Sequence, residues 1–208
     1  MSGTCGLKKI LARPMIFRAF RWLVFPPRGR QVLREEHLRA RPGDRVLDIG
    51  CGTGSILDDL PDVDYLGMDI SAEYIDAARR LYPARGRFVC GIADETSLAG
   101  EKPFDLVLAI AVLHHLDNDQ ARDLIRLARK MLRPGGRFVS IDCGYANDQS
   151  ALARFIIRQD RGRFIRTSQE YEALIGEAFP KPKSTIRHNL LRIPYTHYIG
   201  EAKTDGTS

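Results

Sequence analysis

The stretch RVLDIGCGTGS, Arg45 to Ser55, ends a short apolar run containing Asp48 on three alternating glycines, Gly50, Gly52 and Gly54. A strand that ends in glycines and feeds a helix turns backbone N–H groups and the positive helix end toward the carboxyl edge of a parallel sheet. Folds of that kind bind small polar ligands there. The spacing narrows the ligand: the hydride-transferring dinucleotide fingerprint, G-x-G-x-x-G, needs its third glycine where Ser55 stands. The G-x-G-x-G pattern therefore disfavours a nicotinamide dinucleotide. A second carboxylate, Asp69, ends the next apolar run, at the position where a ribose diol needs a paired acceptor. Two adjacent histidines, His114 and His115, follow a later apolar run on the same edge. An imidazole, with an ordinary pKa of about 6.5, suits proton removal near neutrality.

These residues need a scaffold, and from Val46 to Asp142 the chain alternates strand and helix signals in the rhythm of a parallel sheet with crossover helices. RVLDIG, DYLGMDI, RFVCGI, FDLVLAI and RFVSID read as successive strands, the last entered through a turn at RPGG. Between them SILDDLP reads as a helix closed by Pro61, and SAEYIDAARRLY as a helix capped by Ser71 with Glu73 in its first turn. Ala121, Leu124, Ile125, Ala128 and Met131 mark one face of a third helix by their three-and-four spacing. Further on, a helix is expected around SALARFIIR. Another is opened by a Thr167/Glu170 capping box, with Tyr171, Leu174, Ile175 and Phe179 on one face. STIRHNL and THYIGEA read as an antiparallel strand pair at the sheet edge, joined through Pro194.

The 208 residues, 44% hydrophobic and 28% charged, fit one soluble globular domain. The net charge of +6 leans toward an anionic partner, although 32 basic residues are interleaved with 26 acidic ones. Cys5, Cys51, Cys90 and Cys143 show neither CxxC spacing nor a disulfide framework, and read as reduced thiols of a cytoplasmic protein. No apolar run is long enough to span a bilayer. In GLKKILARPMIFRAFRWLVF, Arg13, Pro14, Arg18 and Arg21 break the apolar run that export requires, so the segment is expected to stay attached.

The motifs VLDIGCGTG, YLGMDIS, FDLVLAIAVLHHL and LRPGGRFVSID resemble, in order, those of the class I S-adenosylmethionine-dependent methyltransferases, in particular the small-molecule branch with a type 11/12 methyltransferase domain. The resemblance covers about residues 45–143. It implies an α/β, Rossmann-like fold: a mostly parallel seven-stranded sheet with helices on both faces, whose last strand runs antiparallel between the fifth and sixth. It also implies S-adenosylmethionine as cofactor. Its methionine end would lie against the backbone of Gly50, Cys51, Gly52, Thr53 and Gly54, with Asp48 oriented toward the ammonium. Asp69 would accept the ribose hydroxyls and Ile70 would lie against the adenine. The family's acidic residue after the third strand falls at Ile92 in CGIADE, with Ala93 and Asp94 following. Either Asp94 receives the adenine amino group, or Ile92 packs on the ring and water serves the amino group. Ala109 completes the expected cofactor set.

Methyl transfer from a sulfonium asks the protein mainly to align the reacting atoms in a water-poor pocket. For a hydroxyl acceptor a base adds rate, and His114 or His115 is the candidate, His114 being nearer the strand end. Adjacent residues of an extended segment point to opposite faces, so one of the two is expected to face the acceptor. Asp142 and Tyr145 flank the fifth strand's end, where they either line the acceptor pocket or, in the favoured reading of Asp142, serve a turn. No metal is expected, because the fourth strand offers Ala109 and Ala111 where a metal-assisted site would need carboxylates.

Acceptor choice is expected from residues 1–40, an N-terminal helical lid, and from an insertion at about 144–180 within a catalytic domain of residues 41–202; residues 203–208 form a tail. The N-terminal segment, with Phe17, Phe20, Trp22 and Phe25 among Lys8, Lys9, Arg13, Arg18 and Arg21, reads as a lid, as a plain packed helix, or as a basic segment making peripheral membrane contact. Arg154, Arg158, Arg161, Arg163 and Arg166 around Asp160 either receive an anionic group on the acceptor or are surface arginines with one internal ion pair. His188, Arg192, Tyr195, His197 and Tyr198 divide between packing and recognition.

Three functions compete: O-methylation of a small or lipid-linked molecule, RNA methylation, and cofactor binding without catalysis. Nucleic acid is disfavoured as a partner by the lack of an NPPY-like motif after the fourth strand and of an aromatic RNA-binding stretch.

Overall fold

The computed structural model describes residues 24–160 and 162–206. The N-terminal stretch up to residue 23, expected as lid, packed helix or membrane segment, lies outside the described residues, as does Arg161. Strands β1 (Arg45–Ile49), β2 (Asp64–Asp69), β3 (Arg87–Cys90), β4 (Phe104–Ile110), β5 (Leu132–Tyr145), β7 (Lys183–Arg187) and β8 (His197–Lys203) form a sheet of order β3-β2-β1-β4-β5-β8-β7. The first five are parallel. β8 runs antiparallel between β5 and β7. This is the order that the resemblance implied.

Alternation along the strands separates two cores, as a sheet covered on both faces requires. Leu47, Val107, Ala109 and Phe138 face Ala121, Ile125 and Ala128 of α3 (Asn118–Met131), and Tyr171, Leu174 and Ile175 of α5 (Ser168–Gly176). Val46, Leu106, Leu108 and Val139 face Ile75 and Ala78 of α2 (Ala72–Leu81), together with Leu33, Leu38 and Leu57. The expected caps form. Ser71 Oγ accepts from the Tyr74 N–H, and Thr167 and Glu170 close a reciprocal capping box. Asp117 and Gln120 make a second such box on α3.

Two expectations need correction, and one element was not foreseen. SILDDLP is a 3₁₀ turn, Ser55–Asp59, entered from the left-handed Gly54 with no side-chain cap; with Pro61 just beyond it, there is no room for an α-helix. RPGG is not a turn ahead of β5 but a bulge inside it: Phe104 pairs with Leu132 and Leu106 with Arg137, and the extra residues are absorbed between those pairs. A two-residue strand, β6 (Arg166–Thr167), pairs with Gly144 and Tyr145 and was not foreseen; it is too short to carry a periodic signal.

Of the N-terminal segment, the described part is α1 (Pro27–Val32) running into a wider helical turn, Leu33–Leu38. Its core side chains Leu33 and Leu38 join the second core. Arg30 bonds Asp59, and His37 and Arg39 bond Glu201. Arg137 donates to the carbonyls of His37 and Leu38. α4 (Ala151–Arg158), capped by Ser150, carries the insertion after β5. Among the described residues no helix is long and apolar enough to cross a membrane.

Candidate functional site

A cleft of about 1720 Å³ runs along the carboxyl ends of β1, β2, β4 and β5. At one end the loop Gly50–Gly54 is folded onto its own sheet: the Gly50 and Cys51 N–H groups both donate to the Met68 carbonyl, and Gly54 N–H to the Cys51 carbonyl. All three glycines hold a positive φ, which only glycine adopts without cost. A side chain at Gly50 would strike Val112 at 2.5 Å and one at Gly54 would strike Phe88 at 2.8 Å, whereas Gly52 has nothing within 4 Å of its would-be Cβ. Gly52 is thus the open position of the loop. Its N–H donates to Asp69 Oδ2 at 2.9 Å, and Ser71 N–H donates to Oδ1 at 2.8 Å. Each oxygen keeps a further lone pair, so the carboxylate is aimed but not saturated.

Two isoleucines give that end a bare apolar wall. Ile70 is 76% exposed and Ile92 70%, both on the cleft wall. Asp94 is exposed and accepts from the Ser97 N–H at 2.7 Å, a bond that holds its carboxyl below the usual range. Thr53 Oγ1 lines the same end, buried and with no hydrogen-bond partner among the described residues. Asp48 is buried and accepts from Tyr65 Oη at 2.6 Å. Burial, with Asp48 and Asp69 nearby, pushes the Cys51 thiol far up. Ala93 lines the cleft, but Ala109 does not: it is wholly buried inside β4, and Ile110 and Ala111 at the strand's end reach the wall instead. The resemblance had placed Ala109 in the cofactor set.

At the other end His114 is 4% exposed, with both ring nitrogens engaged. Nδ1 lies 2.7 Å from Asp142 Oδ1, which also accepts the His114 backbone N–H at 3.2 Å. Nε2 lies 3.5 Å from Asp160 Oδ1. Asp160 Oδ2 accepts from Tyr195 Oη at 2.9 Å, and Oδ1 from the Gly162 N–H at 3.0 Å. Burial works against a charged ring here, but the two carboxylates outweigh it and raise the His114 pKa to about 9. The hydrogen bond to His114, with those from Gly162 and Tyr195, holds Asp160 well below the usual carboxylate range.

His114 and His115 sit on a 3₁₀ turn, Leu113–His115, rather than on an extended segment, so their rings lie with centroids 4.0 Å apart, tilted by 42°, and both line the cleft. The expectation that they face opposite ways fails for that reason. Asp142 is not a turn residue: it lies within β5, buried, opposite Tyr198 of β8. The arginine cluster also resolves differently. Arg166 is buried and donates to the carbonyls of Leu113, Leu116 and Phe164 and to Asn118 Oδ1, which clamps the turn that carries the histidines. Arg154 lies over the Tyr145 ring.

Among the described residues, His114, Cys143 and Asp160 each offer a ligand atom within 4.8 Å of the others. Hydrogen bonds already account for these atoms, and burial pushes the Cys143 thiol up to about 12, so it stays protonated. Tyr198 is packing, stacked on Tyr171, and burial drops the His197 pKa to about 4. Asp160 and Tyr195 were missed as members of one constellation. They lie far apart in the chain and carry no spacing signal; Asp160 was noticed only as the acid among arginines and Tyr195 only as one of the late aromatics, without a link between them.

Residues 47–138 match a family model described as a methyltransferase domain. The 27-O-demethylrifamycin SV methyltransferase of Amycolatopsis mediterranei (strain S699) is 34% identical over 158 residues, 71% of this chain and 57% of that protein. A probable tRNA methyltransferase 9B of Bos taurus is 37% identical over 117 residues, 54% of this chain and 23% of that protein. The chain thus spans about half, or less, of the length of these relatives. Among solved structures, the S-adenosylmethionine-dependent methyltransferase SibL in its apo form superimposes with a TM-score of 0.71 at 20% identity, over 96% of this chain and 59% of that one. At such identity the likeness shows the fold. Strand order, glycine loop and domain match agree: residues 47–138 carry a methyltransferase domain on the fold of the class I S-adenosylmethionine-dependent methyltransferases.

Proposed function

We propose that this chain methylates an oxygen atom of a small, largely apolar acceptor, with His114 as proton acceptor and Asp142 orienting it. The observation that carries the reading is the Asp142–His114 pair on the cleft wall: one carboxylate oxygen grips both the backbone N–H and Nδ1, which turns Nε2 toward the acceptor end. Apolar residues Leu116, Leu190 and Leu191 line the same cleft and would keep water from the reacting atoms.

The cofactor end fits S-adenosylmethionine. The open Gly52, the unpartnered Thr53 hydroxyl and Asp48 would hold its amino-acid portion, and Asp69 has lone pairs left for two ribose hydroxyls. The bare Ile70 and Ile92 side chains, with Ala93 beside them, would cover the faces of a purine, and Asp94 lies at the end of that slot. When bound, the sulfonium supplies an electrophilic methyl group and a neutral thioether as leaving group. His114 would take the acceptor's hydroxyl proton at Nε2, Asp142 would stabilise the ring so charged, and Arg166 would keep the turn in place.

A second reading, methylation of a transfer RNA, is supported by the net charge of +6 and by relatives named as tRNA methyltransferases, among them the tRNA (carboxymethyluridine(34)-5-O)-methyltransferase of Saccharomyces cerevisiae. Residence in the cytoplasm, expected from the cysteine pattern, belongs to the same proposal; Cys51, Cys90 and Cys143 are free thiols.

One assay separates the readings: methyl transfer from labelled cofactor to a panel of phenols, polyketide-type alcohols and bulk tRNA, at two salt concentrations. Transfer to small hydroxyl compounds, lost in His114→Gln, supports the proposal. Salt-sensitive transfer to tRNA alone would replace it with the second reading.

A further inference from the structure

We infer that Asp160 is a positioning residue of the acceptor site: it occupies the place of the acceptor's hydroxyl on His114 Nε2, and must leave that place before His114 can accept a proton. This rests on the reading of His114 as proton acceptor. Both ring nitrogens face a carboxylate, Asp142 at 2.7 Å on Nδ1 and Asp160 at 3.5 Å on Nε2. A ring that donates on both sides has no lone pair to receive anything, so one carboxylate has to give way.

The surroundings identify which one moves. Asp142 has a fully buried side chain, sits in β5 between β4 and β8, and is bonded twice to His114. Asp160 is 26% exposed at its side chain, lies on the cleft wall just past α4, and is held by the Tyr195 hydroxyl and the Gly162 N–H. The histidine itself is fixed, because Arg166 donates to the carbonyls that flank its turn. The segment after Asp160 is shaped to lie on the ring: a Cβ at Gly162 would come within 2.3 Å of His114 Cδ2, and Phe164 N–H donates to the His114 carbonyl at 3.0 Å.

Charge accounting agrees. Around the ring stand Asp142 and Cys143 from β5, His115 from its own turn, Asp160 from the insertion, Tyr195 behind Asp160, and Arg166 on the turn's carbonyls. Burial keeps the thiol and the phenol protonated, which leaves the two carboxylates as the groups that hold a proton on the imidazole. When a hydroxyl displaces Asp160, the Nε2 proton passes to water in the cleft. The vacated lone pair then takes the hydroxyl's own proton. While both carboxylates face it, the ring is thus kept cationic and inert.

The test is an NMR titration of the His114 imidazole, assigned by its loss in His114→Gln, in the wild type, Asp160→Asn and Tyr195→Phe. The wild-type midpoint is expected near 9. Asp160→Asn should lower it by a unit or more, and Tyr195→Phe, which only loosens Asp160, should lower it less. In turnover, the acid limb of the Asp160→Asn pH–rate profile should shift to lower pH by the same amount. A wild-type midpoint at the ordinary value, or midpoints unmoved in both variants, would overturn the inference. If instead His114→Gln keeps full turnover, the proton-acceptor reading fails whatever the titration shows, so the two failures are told apart.

Discussion

The two ends of the cleft are made from different materials. The cofactor end is mostly backbone and neighbouring residues: a glycine loop bonded to the strand beside it, and Asp69 tied by the N–H groups of Gly52 and Ser71. The acceptor end is made of side chains that meet from separate elements, with His114 on a turn, Asp142 in β5, Asp160 past α4 and Tyr195 ahead of β8. A backbone cradle comes with the fold and tolerates changes of side chain everywhere but at its glycines. A side-chain constellation survives only while every element that feeds it keeps its position.

The sharpest break in that contrast is His114→Gln. We expect turnover to fall about 10²- to 10⁴-fold, with calorimetric affinity for S-adenosylmethionine unchanged; His115→Gln should cost far less. A loss of cofactor binding in His114→Gln would mean that the two ends are not separable. Next is a pH effect confined to the acceptor end. The folded pKa of His114, near 9, lies above its unfolded value of about 6.5, so its contribution is fully present below the unfolded value and disappears as pH rises through the folded one. Urea titrations should therefore show the His114 contribution, about 3 kcal/mol, lost between pH 6 and pH 9.5 against an opposing gain of about 1 kcal/mol from the depressed His197, and His114→Gln should abolish the larger of the two. At the cofactor end, Asp69→Ala removes a charged acceptor from the ribose position and should weaken S-adenosylmethionine binding by roughly ten- to a hundredfold; calorimetry without any acceptor reads this directly. The smallest effect is Thr167→Ala, which deletes the α5 capping box for about 1 kcal/mol of stability. Thermal unfolding should show that loss while cofactor affinity stays put.

The same contrast explains what could be read before any coordinates. β1 to β5, the caps at Ser71 and Thr167, and Asp69 on the cleft wall follow from patterns a few residues long, because local hydrogen bonds and burial periodicity create them. The late antiparallel pair was visible as strand signal, while its insertion between β5 and the edge came from the family resemblance. Asp142 looked like a turn residue because its identity says nothing of the histidine it grips 28 residues away. Arg166 looked like part of an anion-binding cluster, since a buried arginine that serves four acceptors of its own chain has the same letter as one in solvent. Asp160 and Tyr195 depended on the insertion folding back across the sheet edge, which no spacing encodes.

The two-residue pairing of Gly144 and Tyr145 with Arg166 and Thr167 has a consequence for how this scaffold can change. It sets the two ends of the intervening insertion side by side. Once the ends of a segment are pinned, lengthening it costs only about 0.6 kcal/mol per doubling. The α4 part of that segment can therefore be exchanged like a cassette, altering what enters the cleft, so long as Asp160 and the Gly162–Phe164 stretch stay on the histidine turn.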